Sequence, residues 1–216
     1  MKKILSLIVM LCMPLMACSA EYKAGEHYTV VDDKVSKKLE VREYFSFYCP
    51  HCFNFEPIMQ NVKKDLPAGA TFEMNHVDFL RAASPKVQGL LSKAIVVAKK
   101  MDMEKKMVGA IFNYLQVQRA FITSEKDIRN IFVLNGADGE QFDKLMSSFS
   151  INSQAKLMKK NQEYFSKKTG PDGKPYLNAV PTVIVNGKYR INPGALDKGD
   201  FEGDYKKLVN HLLTLK

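Results

Sequence analysis

Two cysteines separated by two residues, in the run Cys49-Pro50-His51-Cys52, are the side chains of this sequence best suited to chemistry. A thiolate is a nucleophile, and a pair of thiols can close to a disulfide and pass it on by exchange. Pro50 suits the first turn of a helix, because it lacks an N–H that this position would leave unpaired. Cys49 then lies where the first helical N–H groups have no carbonyl partner and where the helix dipole is positive; both favour the thiolate. Cys52, one turn further in, is expected to be the buried, resolving thiol. A positive imidazole at His51 would stabilise the Cys49 thiolate further. A stabilised thiolate means a stabilised reduced state, and hence an oxidising disulfide.

Zinc is the competing use of such a pair. Structural zinc takes four ligands, and this sequence has no second Cys-x-x-Cys. His27, His51, His76 and His211 show no paired spacing. Neither a metal nor another cofactor is therefore expected.

The compartment follows from the start of the chain. Lys2 and Lys3 precede an apolar run from Ile4 to Leu15, and Cys18-Ser19-Ala20 offers small residues before Glu21. That order is a secretory signal peptide over residues 1–20, too short to span a bilayer. Leu15-Met16-Ala17-Cys18 also resembles a lipobox that would anchor the chain at Cys18. Met at its second position is unusual, and Glu21 and Tyr22 read as the start of a folded strand, so cleavage after Ala20 is favoured. Cys12 and Cys18 leave with the leader, and only Cys49 and Cys52 remain. Two cysteines so close constrain little chain, so in an oxidising compartment they fit redox work better than stapling.

The chain has 216 residues, of which 46% are apolar and 25% charged, enough for one packed domain or one domain with an insertion. Its net charge is +9. The lysines are spread along helical stretches, as in Lys99-Lys100 and Lys167-Lys168, with no aromatic-basic motif, so a solvated basic surface is expected rather than nucleic-acid binding.

The elements around the cysteines can be read from periodicity. Leu39 to Tyr48 reads as a buried strand, and the apolar residues from Phe53 to Val62 as a helix with a kink at Pro57. Thr71 to Phe79 alternates as a second strand, giving a βαβ setting with the cysteines at the strand-to-helix turn. Ser84 to Lys168 has helical spacing, with capping boxes at Ser124–Asp127 and Asp138–Gln141 and a helix end at Gly136. Gly170 to Pro175 is a loop, Val180 to Ile191 a hairpin turning at Asn186-Gly187, and Lys206 to Leu215 an amphipathic helix. The strands lie at both ends, so the fold is an α/β sheet domain interrupted by a helical domain. Pro181, opening a strand, is either a simple strand-start proline or a cis proline that leaves the preceding backbone free to pair with a peptide.

The run from Glu43 to Cys52, with Asn75-His76-Val77-Asp78-Phe79, Val180-Pro181 and Val185-Asn186-Gly187-Lys188-Tyr189, resembles the DsbA family of bacterial periplasmic disulfide oxidases. The resemblance covers nearly all of the chain after the leader, in order. It implies a thioredoxin fold interrupted by an inserted helical domain: residues 21–80 and 159–216 form the thioredoxin part and 81–158 the insertion. It also implies a cis Pro181 facing the cysteines and donation of the disulfide to reduced, newly exported proteins in the periplasm. Cys49, Pro50, His51 and Cys52 are the implied catalytic residues, Val180 and Pro181 the substrate-pairing ones. Reoxidation by a DsbB-like membrane oxidase is implied too; the molecule is expected to be a monomer. An isomerase or reductase of the same fold is the nearest alternative, and a non-catalytic holdase a more distant one.

Two departures from the family pattern stand out. Members often carry a lysine just before the His-Val pair, near a buried glutamate, whereas Phe72-Glu73-Met74-Asn75 has none. Gly170 to Pro175 looks like an insertion close to Pro181. The glutamate is Glu43, which alternation places beside Val41 and Phe45. Either Arg42 or a backbone group satisfies it, or the strand's other face is the buried one, or it lies beneath Cys52 with a raised pKa and manages that thiol's proton.

Overall fold

The computed structural model describes residues 22–215, so the expected leader, with Cys12, Cys18 and the cleavage after Ala20, lies outside the described residues. The strands β1 (Tyr28–Val30), β2 (Glu40–Phe45), β3 (Thr71–His76), β4 (Thr182–Val185) and β5 (Tyr189–Ile191) form one sheet in the order β1-β5-β4-β2-β3. β2 and β3 run parallel, joined through α1 (Pro50–Lys64), and the other pairings are antiparallel. The strands are shorter than the alternation suggested. Phe47 and Val77 are buried but lie beyond the ladders, because burial continues where strand pairing has stopped. The expected strand at Glu21–Tyr22 is instead β1, which starts at Tyr28.

Alternation along β2 sends its residues to two cores. Val41 and Phe45 pack with Met59 and Val62 of α1 and with Tyr205, Leu208 and Leu212 of α7 (Phe201–Thr214). Tyr44 faces the other way, onto Phe165, Leu177 and Ile184. Asp200 caps α7 by accepting the Gly203 N–H, which is why this helix begins before the amphipathic stretch at Lys206.

The helical block consists of α2 (Pro85–Lys100), α3 (Glu104–Phe112), α4 (Glu125–Leu134), α5 (Gly139–Ser147) and α6 (Phe149–Lys167), with a π-helical turn over Asn113–Val117. The Ser124–Asp127 capping box is formed, Asp138 accepts the Gln141 N–H, and Gly136 ends α4 at a φ of +88°. α6 runs unbroken across residue 158, so the expected boundary between insertion and sheet domain falls within one helix. Asn186 and Gly187 take φ values of 52° and 65°, the left-handed pair that a tight hairpin needs.

Candidate active site

The turn after β2 delivers the first cysteine. The Ser46 carbonyl accepts the Cys49 N–H at 3.0 Å, and Ser46 Oγ accepts the Tyr48 N–H at 3.2 Å. Cys49 is the N-cap of α1, with Pro50 in the first turn, and its Sγ accepts the Cys52 N–H at 3.3 Å. A side-chain oxygen usually does this job; here it falls to sulfur. Both cysteines are free thiols. Cys49 is 6% exposed and Cys52 1%, while Pro50 and His51 are exposed. Pro57 sits inside α1, which runs unbroken from Pro50 to Lys64.

The two thiols are driven apart in acidity. A hydrogen bond from Cys52 lowers the Cys49 pKa most. Burial opposes it, but the N–H groups of Cys52 and His51 and the charge of His51 bring the group from 9.0 down to about 6. For Cys52 the same hydrogen bond acts the other way; burial and the charges of Cys49 and Glu43 push it further up, well above an ordinary thiol.

The Val180-Pro181 peptide bond is cis. The Cys49 thiol lies 3.3 Å from the Val180 carbonyl and donates to it. Beside it a cavity of about 400 Å³ is lined by His51, Phe55, Pro181, Phe201 and Tyr205 among others. The 170–175 loop borders a different cavity, with Tyr176, Asn178 and Arg190.

Glu43 is 1% exposed and its Oε2 has no hydrogen-bond partner. Burial raises its pKa well above 4.5, and the charges of Glu56 and Cys49 add to the rise. Its register neighbours are Met74 on β3 and Val183 on β4, so Met74 occupies the apolar flank where a family lysine would help. Arg42 points the other way and pairs with Glu40 at 2.7 Å. His76 does not stand in for the lysine. Burial holds its pKa down to about 3, and its ring contacts Ser92 Oγ at 3.1 Å and Ser46 Oγ at 3.5 Å.

Glu56 was not singled out from the sequence. Burial raises it from 4.5 to about 7, although Gln60 donates to it at 2.6 Å. The signal was available: residues 52, 56 and 59 share one helical face, and Cys52 and Met59 are buried. Tyr205 completes this buried polar group; burial, then the Glu43 charge, raises its pKa. Among the described residues no group of three or more His, Cys, Asp or Glu side chains is placed to hold a metal ion, and no helix is long and apolar enough to cross a membrane.

Comparison with known proteins agrees with this geometry. Residues 40–206 match the family model described as a DSBA-like thioredoxin domain. The thiol:disulfide interchange protein DsbA of Haemophilus influenzae is 35% identical over 219 residues, covering 99% of each chain. That of Escherichia coli K12 is 34% identical over 222 residues, covering all of both. The crystal structure of DsbA from Proteus mirabilis superposes with a TM-score of 0.78 at 27% identity, over 90% of this chain and 98% of the other. A variant of the same Proteus protein with a non-covalently bound peptide PWATCDS gives 0.78 at 28% identity, over 91% and 100%. The chain belongs to the DSBA-like thioredoxin domain family and is a thiol–disulfide oxidoreductase.

Proposed function

We propose that the protein works as an oxidase, donating a Cys49–Cys52 disulfide to reduced, newly exported proteins. The observation that carries this reading is the separation of the two thiols: Cys49 lowered to about 6 at the helix start, Cys52 buried and raised. A substrate thiolate attacks Cys49 Sγ, the Cys49–Cys52 bond breaks, and Cys52 leaves with the electron pair and takes a proton. A second substrate thiolate then attacks the substrate sulfur of the mixed disulfide. Cys49 departs as a thiolate that the Cys52 N–H already stabilises. The substrate loses two electrons and the enzyme gains them.

The surrounding residues serve these two steps. Pro50 starts the helix, and His51 supplies charge beside Cys49. Val180 offers its carbonyl, and Pro181 lines the cavity beside His51, so a peptide pairing there lies against the cysteine. The Proteus relative binds a peptide non-covalently, which supports a polypeptide as the substrate. Glu43 takes or gives the Cys52 proton. The inserted helical domain begins after residue 80 and meets the second thioredoxin part inside α6, not at a break near residue 158. The chain acts in the periplasm as a soluble monomer after its leader is removed. A DsbB-like membrane oxidase returns it to the disulfide form.

The test is to mix the oxidised protein with a reduced, unfolded polypeptide and follow Cys49 and Cys52 by mass spectrometry. Loss of the enzyme's disulfide with gain of one in the substrate is expected. A disulfide that stays intact while the substrate is kept from aggregating would establish a holdase instead. Faster reshuffling of a scrambled substrate than oxidation of a reduced one would establish an isomerase.

A further inference from the structure

A second cavity, of about 300 Å³, opens between α2 and α6. It shares no lining residue with the cavity beside His51 and Pro181. Four lysines ring it: Lys86 and Lys93 from α2, Lys156 and Lys159 from α6. The one carboxylate among its lining residues, Asp78, is engaged: Lys159 lies 2.8 Å from it and Gln162 donates to it at 2.6 Å. Lys86, Lys93 and Lys156 have no hydrogen-bond or ion-pair partner among the described residues. The buried side chains of Ser92 and Gln162 lie among the lining residues, with Leu90 and Ala155 as apolar ones.

Three uncompensated ammonium groups around one concavity repel one another. A cleft lined by one sign of charge also focuses the potential and concentrates counter-ions. Lys63, Lys99, Lys168 and Lys206 each reach a carboxylate within 3.0 Å, while lysines without a partner among the described residues, such as Lys100 and Lys126, also occur elsewhere; what sets this site apart is that three of them border one cavity. The volume is at the lower end of small-molecule sites, roughly 300–1,000 Å³. We propose that this cavity is a binding site for a small, multiply anionic organic molecule, a polycarboxylate or a phosphate ester. Its charge takes the place of the carboxylates that Lys86, Lys93 and Lys156 lack, and its carbon body lies against Leu90 and Ala155.

The experiment is calorimetric titration of the protein with citrate and, separately, with phenyl phosphate, at matched ionic strength and with acetate as the monovalent control. Saturable one-to-one binding of citrate or phenyl phosphate is expected, and which of them binds decides between the two sources of anionic charge. The double variant Lys93→Ala/Lys156→Ala should bind about tenfold more weakly or worse. The remote pair Lys37→Ala/Lys38→Ala, which removes the same charge, should bind as the parent does. Unchanged thiol-exchange rates would show that both variants fold. No saturable binding of either probe, or an equal loss in the remote pair, overturns the proposal.

Discussion

At Cys49 a sulfur occupies the N-cap, and the ranking of what holds its thiolate gives an ordered expectation. The Cys52 thiol is the largest cause of the lowered pKa, and the charge of His51 the smallest. The His51 N–H also contributes, but it belongs to the backbone and survives substitution. Both Cys52→Ala and His51→Leu should therefore raise the Cys49 pKa, and Cys52→Ala should raise it more. Thiolate absorbance against pH reads this directly; the reverse order would show that imidazole charge, not the thiol pair, governs the site. Glu43 gives a second expectation. Its folded pKa is raised, so the neutral carboxyl is the form the fold tolerates. Relative to an unfolded chain, the favourable contribution is present below the ordinary 4.5 and is lost as pH rises through the folded value. Glu43→Gln should thus be more stable than the parent at pH 8 and lose that advantage near pH 4, measured by urea unfolding. A variant less stable at pH 8 would mean the carboxylate has a partner there. The cysteines were legible because their spacing is chemical in itself. Glu43 was legible because β2 alternates. The periodicity of α1 puts Glu56 on the face of Cys52 and Met59, but it cannot show that burial raises the carboxyl's pKa against the pull of Gln60 and Lys63.

At the scale of elements, the segment leading into Cys49 is held from the helical block as well as from the sheet. Gln116, in the π-helical turn, donates to the Phe47 carbonyl at 2.6 Å, just past the end of β2. Tyr48 reaches the Ile122 carbonyl at 3.5 Å. Phe47 itself packs edge-on to Phe112, with ring centroids 4.9 Å apart. Gln116→Ala removes the donor and leaves a buried carbonyl without that partner, which costs about 1–3 kcal/mol. Chemical unfolding should show this loss, while Gln116→Glu, which keeps the length but not the donor, should do no better. A neutral Gln116→Ala would show that water replaces the amide. None of these ties could be read from the sequence. Periodicity located β2, α1 and the helical block, because each buries one face over many residues. The three-residue β1, by contrast, is too short for alternation to register, and the π-helical turn has no period of its own.

For the whole molecule, the redox state of the two cysteines and the stability of the fold are one quantity seen from two sides. In the dithiol form Cys49 ionises near 6 when folded and near 9.0 when not. Between those values the unfolded chain binds more protons than the folded one, so the reduced protein gains stability as pH rises through this window. The gain is fully present above the unfolded value and is lost as pH falls through about 6. The disulfide form has no thiol to titrate, so it does not share the gain. Other groups also bend the curves: His76, held neutral down to about 3, makes both forms more labile in acid, while Glu43 and Glu56 weaken both as pH rises. Those groups are common to the two redox forms, so they largely cancel in the difference. The stability of the reduced form minus that of the oxidised form should therefore climb from pH 5 to a maximum near pH 9 and fall above it, where Cys52 gives up its proton in the unfolded chain but keeps it in the fold. Guanidinium unfolding of both forms across that range measures it. By the thermodynamic cycle, the same difference is the amount by which folding makes the disulfide more oxidising than one in an unfolded chain. A gap that is flat with pH would mean that the Cys49 thiolate is not what drives disulfide donation, and the oxidase reading would fall with it.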